Sequence, residues 1–195
     1  MSLRGVHHLA LNTDDMQMTI AFYTEVLGMP LIHAMRVPPG LGTGEGNRGN
    51  PPYENLRHYF FDMGNDSTLA FFELPKGAEE LGNRNNVAAM QHVAFATDAA
   101  GATALLARLT AHGVANSGPI ESFTNLHSVY FFDPNGIRLE FAWQPVPSGD
   151  TITVLPSVAQ SREDALAELR SLNDDPAWLE RVTAYWTANA VPSRA

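Results

Sequence analysis

The chain repeats itself, and an internal repeat constrains architecture before any single motif is considered. His8-Leu9-Ala10-Leu11-Asn12-Thr13-Asp14 aligns with His92-Val93-Ala94-Phe95-Ala96-Thr97-Asp98, and Thr19 then falls opposite Thr103. In each copy bulky residues alternate with small or polar ones, which is the period of a half-buried strand. Leu9 and Leu11, or Val93 and Phe95, share one face, while His8 and Ala10, or His92, Ala94 and Ala96, share the other. An aspartate able to cap a helix follows each strand, Asp14 or Asp98. The pattern predicts helices over about 15–27 and 99–111, closed by Gly28 and Gly113.

Further on, Tyr59-Phe60-Phe61-Asp62 recurs as Tyr130-Phe131-Phe132-Asp133, each followed by a turn and a second hairpin strand. Those second strands carry Glu73 and Glu140, which the repeat places alike. His8 and His92 lie 84 residues apart and the glutamates 67, so the first copy is longer by 17 residues. Most of the excess falls in the Gly-, Pro- and Asn-rich stretch Pro38 to Pro52, read as an inserted loop of the kind that covers active sites. The expectation is an α+β fold: two βαβββ modules, residues 4–75 and 88–144 of a unit spanning 4–144, forming a cupped mixed sheet around a metal site. Residues 145–157, opening on Pro145, Pro147, Ser148 and Gly149, read as a linker. Residues 158–195 read as a helical extension whose Leu166, Leu169, Leu172, Trp178, Leu179, Val182, Tyr185 and Trp186 form an apolar stripe suited to docking on a core.

Composition narrows the chemistry. The 195-residue chain has no cysteine, so a disulfide framework, a thiolate site and a Cys nucleophile are all excluded. Its formal charge of -9 repels phosphate backbones and anionic lipid surfaces, which argues against nucleic acid and membrane partners. No apolar run approaches the roughly 20 residues that span a bilayer, and no leader signature precedes the first strand, so a cytoplasmic location is expected.

Pseudo-twofold packing of the two modules would bring His8, Glu73, His92 and Glu140 to one point. Imidazole with carboxylate suits Fe, Mn, Co, Ni or Zn, and the subset His8, His92 and Glu140 has the two-His-one-carboxylate composition of non-haem iron sites. Ala10, Ala94 and Ala142 beside these groups leave room for a substrate. His127 and His58 stand just before the two Tyr-Phe-Phe-Asp strands, where either could serve as an acid or base. Tyr130, ten residues before Glu140 across a hairpin, could bring a hydroxyl near the metal. Phe60, Phe72, Phe132 and Trp143 would make a cavity they line suitable for a ring-bearing substrate.

The strand with His8, the helix end Phe22-Tyr23-Thr24-Glu25-Val26-Leu27-Gly28, His92, and Asp133-Pro134-Asn135-Gly136 leading to Glu140 together resemble the glyoxalase, bleomycin-resistance and extradiol-dioxygenase superfamily, the vicinal oxygen chelate group. The resemblance covers Val6 to Trp143. It implies a divalent-metal enzyme acting on a small, vicinally oxygenated, aromatic substrate. The leading expectation is an extradiol-type dioxygenase in which His8, His92 and Glu140 hold Fe(II) or Mn(II). A glyoxalase I-like lyase or isomerase, with Zn, Ni or Co also eligible and Glu73 as fourth ligand or base, is the alternative. A metal-free drug-binding protein is the second. Tyr130, His127 and Glu73 are the catalytic candidates. Whether the modules pair within one chain or by exchange across a homodimer stays open.

Overall fold

The computed structural model describes residues 5–40, 55–77, 80–123, 126–144 and 160–184. The first module runs β1 (His8–Thr13), α1 (Met16–Ala21), β2 (Leu31–Arg36), β3 (Arg57–Gly64) and β4 (Ser67–Glu73). The second runs β5 (Val93–Ala96), α2 (Ala99–Ala111), β6 (Ile120–Phe123), β7 (Leu126–Phe132) and β8 (Arg138–Trp143). Each makes a four-stranded mixed sheet, ordered β1-β4-β3-β2 and β5-β8-β7-β6, with the first strand parallel to the last and the others antiparallel. These are the two βαβββ modules expected from the repeat.

Local chemistry sets the helices. Asp15, one residue after the aspartate expected, caps α1 by accepting from Met18 N, and Asp98 caps α2 by accepting from Gly101 N. The first helix does not continue as α to Leu27. It passes at Phe22–Val26 into a π-helical turn in which Leu27 N reaches Phe22 O. Gly28 then turns the chain at φ +75, a backbone conformation that favours glycine, and a Cβ there would lie 2.7 Å from the flexible end of the Arg108 side chain. That arginine donates to Glu25 O at 3.3 Å and ties α2 to the end of α1.

One apolar core serves both modules. Phe61, Leu69 and Phe71 from the first sheet and Val129, Phe131 and Leu139 from the second pack with Met16, Phe22, Tyr23, Leu105 and Leu109. Burial of each large side chain there contributes about 1.5–3 kcal/mol. A polar staple reinforces the joint at the β7–β8 turn. Asn135 accepts from Thr13 Oγ1 at 2.7 Å and donates to Thr19 Oγ1 at 3.3 Å, and Tyr23 OH donates to Asp133 Oδ2 at 3.1 Å. Asp133 also accepts from the backbone of Asn135 and Ile137, which closes the turn. Burial raises its carboxyl above the usual range despite those donors, and burial likewise raises the Tyr23 phenol.

The opposite face of each sheet carries no helix. His8, Ala10 and Asn12 on β1, and Ala94 and Ala96 on β5, are exposed. The C-terminal region forms a hairpin of α3 (Arg162–Leu172) and α4 (Pro176–Thr183), joined by Arg162 to Glu180 at 2.8 Å. None of its residues joins the modules' core cluster, and Leu172 and Val182 are exposed, so the described part of this stripe does not dock on that core. Tyr185, Trp186, the 145–157 linker and nearly all of the Pro38–Pro52 loop lie outside the described residues. Among the described residues no helix is long and apolar enough to cross a membrane.

Candidate functional site

The hydrogen-bond ladders show which residues of the two modules correspond. Ala10 pairs with Ala70, which pairs with Phe60; Ala94 pairs with Glu140, which pairs with Tyr130. The histidines therefore correspond as the repeat implied, but the glutamates do not. The counterpart of Glu140 is Ala70, and that of Glu73 is Trp143.

Glu140 lies on the helix-free face, buried at 5% exposure. Its Oε2 stands 2.9 Å from His92 Nε2, and its Oε1 accepts from the Ser128 hydroxyl at 2.6 Å. Ser128 is fully buried and sits across the ladder from Ala142, which aims its hydroxyl at the same carboxylate. The other ring nitrogen of His92, Nδ1, contacts Gln91 Oε1. One edge of the imidazole is thus held by an amide while the other faces the carboxylate, the arrangement in which a histidine is oriented for metal. Tyr130 occupies the same face, its ring edge-on to that of His92 with centroids 5.9 Å apart.

Glu73 is placed elsewhere. It alternates with Leu69 and Phe71, so it projects to the helix side of its sheet, where Oε1 accepts from Met16 N at 2.9 Å and Oε2 pairs with Arg57. His8 is on the other face of that sheet. Glu73, Arg57, Tyr59 and Lys76 line, with the start of α1, an open cleft of about 620 Å³ that does not include His8, His92 or Glu140. His127 also projects to the helix side, alternating with Val129 and Phe131, and stacks on Trp143 with centroids 5.5 Å apart. Among the expected site residues, the structure brings together His92, Glu140 and Tyr130.

His8 is exposed at the start of β1, its Nδ1 2.9 Å from that of His7. Among the described residues no three His, Cys, Asp or Glu side chains gather as a metal-holding group. Around His8 the helix-free face is aromatic. Phe60 has His58, His33 and His8 at centroid distances of 4.4, 5.7 and 6.1 Å, and His58 stacks on Phe72 at 3.7 Å. Burial, with smaller contributions from the neighbouring His8 and His33, lowers the His58 imidazole below its ordinary value, although its Nδ1 bonds Phe71 O.

Sequence reasoning passed over Ser128 and Gln91. Ser128 could have been found from strand alternation, since it lies two residues before Tyr130 and so on its face; Gln91 carried no such signal.

Chains of known structure share this architecture. A glyoxylase/bleomycin resistance protein/dioxygenase domain from Frankia sp. EAN1pec matches with TM-score 0.57 and 20% identity over 73% of this chain and 99% of its own. A glyoxalase/dioxygenase from Nostoc punctiforme matches with TM-score 0.54 and 24% identity, covering 73% and 92%. A variant of the fosfomycin resistance protein FosX from Listeria monocytogenes, complexed with Mn(II) and 1S,2S-dihydroxypropylphosphonic acid, matches with TM-score 0.50 and 18% identity, covering 75% and 95%. No curated protein matches in sequence. A family model matches residues 5–141, and with the paired modules this identifies the chain as a member of the glyoxalase/bleomycin resistance protein/dioxygenase superfamily.

Proposed function

We propose that the chain is a divalent-metal enzyme acting on a small molecule with two adjacent oxygens, that His8, His92 and Glu140 are its metal ligands, and that extradiol cleavage of a catechol-like ring is its leading reaction. The observation that carries this reading is the approach of His92 Nε2 to Glu140 Oε2 at 2.9 Å, with the carboxylate fixed from behind by buried Ser128. An imidazole and a carboxylate converging on a helix-free face fit Fe(II) or Mn(II), and the metal-bound FosX neighbour supports the latter. A bound ion would supply Lewis acidity and a point of attachment for vicinal oxygens.

The chain's own residues divide the remaining work. Ser128 and Gln91 hold the two ligands in orientation. Tyr130, directly across the ladder from Glu140, offers a phenol to hydrogen-bond a substrate oxygen. The aromatic face around Phe60 and Phe72 suits a ring. Glu73 has no part in this reading, because its carboxylate is engaged by Arg57 and the first turn of α1 on the other side of the sheet. That placement favours three protein ligands over four. His127, stacked on Trp143, likewise has none.

His8 would be supplied by a second copy of the chain, whose first module would cover the exposed face of the second. The free helix-less surfaces of both sheets support this exchange.

Anaerobic reconstitution with Fe(II), followed by oxygen uptake over a panel of catechols with His92→Ala as control, tests the reaction. Uptake with a coloured ring-opened product, absent in the variant, is expected. Bound iron with silence across the panel would replace ring cleavage by proton transfer at the same site, and failure to bind any divalent metal would overturn the reading altogether.

A further inference from the structure

We propose that Arg138 and Arg84 form an anion subsite beside the His92–Glu140 pair, so that the substrate carries a carboxylate or phosphonate arm in addition to its adjacent oxygens. The proposal rests on the metal-site reading above and deepens it.

Arg138 and Phe132 face each other across β8 and β7, one ladder step of that face away from Glu140 and Tyr130. The four residues form one square on the helix-free side. The Arg138 Cζ lies 4.3 Å from the centre of the Tyr130 ring, and the Arg84 Cζ lies 5.1 Å from the centre of the Phe132 ring. Two guanidinium groups therefore sit over neighbouring rings of one strand, at the end of the face that also holds the candidate ligands.

Neither has an oxygen partner among the described residues; their contacts are the two rings. Arg36, Arg57, Arg108 and Arg162 each donate to a carbonyl or carboxylate. In a chain of net charge -9, two guanidinium groups side by side on one face stand against the overall acidic balance. A guanidinium over an aromatic ring keeps its in-plane N–H fork free, and that fork matches the two oxygens of a carboxylate or phosphonate. The Arg138 guanidinium lies over the ring of Tyr130, the cross-strand partner of Glu140, so a molecule held at Glu140 through its vicinal oxygens would present an acid group within its reach.

Two titrations of the full chain decide it. In the first, the Mn(II)-loaded protein is titrated with 3,4-dihydroxybenzoate and with catechol. The acid is expected to bind at least about ten-fold tighter, and Arg138→Gln or Arg84→Gln to remove most of that margin while leaving catechol unchanged. Arg138→Lys, which keeps the charge, retains part of it. Equal affinity for the two ligands, or an equal loss for both in the variants, would overturn the subsite. In the second, benzoate and phenylphosphonate are titrated into metal-free protein, which separates failure of the subsite from failure of the metal reading. Saturable binding abolished by Arg138→Gln upholds the subsite even if Mn(II) is never taken up, and the stronger of the two ligands names the acid. Absence of saturable binding by both overturns it.

Discussion

The Ser128 hydroxyl donates to Glu140 Oε1 at 2.6 Å, and both side chains are buried. Burial of both groups limits replacement of a lost partner by solvent, so removal of the hydroxyl leaves a carboxylate oxygen unpaired.

Ser128→Ala is accordingly expected to weaken Mn(II) binding about 10–100-fold, the usual effect of removing a residue that orients a ligand. A stability loss of about 1–3 kcal/mol from the orphaned acceptor should accompany it. Titration with Mn(II) and urea unfolding measure the two separately. Unchanged affinity would show that Glu140 does not bind metal.

Glu73→Ala tests the opposite expectation. Loss of the acceptor for Met16 N should cost about 0.5–2 kcal/mol, as removal of a helix cap does, while metal content stays at the wild-type level. A metal-depleted variant of normal fold would restore the four-ligand site.

Exchange of His8 between copies predicts complementation. His8→Ala and His92→Ala proteins should each lack metal affinity, whereas chains of both kinds unfolded together and refolded should regain it in part. One of the two sites in a mixed dimer is then intact. Elemental analysis of the mixture reads the result, and no recovery would place His8 with its own chain's second module.

The lowered imidazole of His58 makes stability sensitive to acid. The unfolded chain takes up a proton at the ordinary value near 6.5, before the folded chain does. The contribution of neutral His58 is therefore complete above that value and is lost as pH falls towards the lower, folded one. Wild-type melting temperature should drop on acidification through this window, and His58→Asn should drop less. An identical decline in both proteins would remove His58 as the cause.

Much of this molecule can be read in its residues. Strand alternation and the capping aspartates placed β1, β5 and α2, and correctly matched His8 with His92. The glutamates misled because identical letters were aligned. Tyr59-Phe60-Phe61-Asp62 and Tyr130-Phe131-Phe132-Asp133 stand one residue out of register, since the ladders match Phe60 with Tyr130 and Asp62 with Phe132. The buried residues show the true match: Phe61 with Phe131 and Leu69 with Leu139, all at 1% exposure or less. A slip by an odd number of residues reverses the face of every side chain, and Glu73 stands three residues beyond Ala70, the true counterpart of Glu140, which is how it came to be expected beside His8. The oxygen partners of Glu140 were less legible, because a serine in a strand announces nothing until its cross-strand neighbours are known.

The two sheets share one topology yet differ in what they expose. Where the second presents acid, phenol and guanidinium, the first presents Ala70, Phe60 and stacked His58. In the proposed pairing of copies, a molecule between such walls would meet a charged jaw on one side and a greasy one on the other. It would enter one way round, its reactive end chosen by the unlikeness of the halves rather than by any single residue.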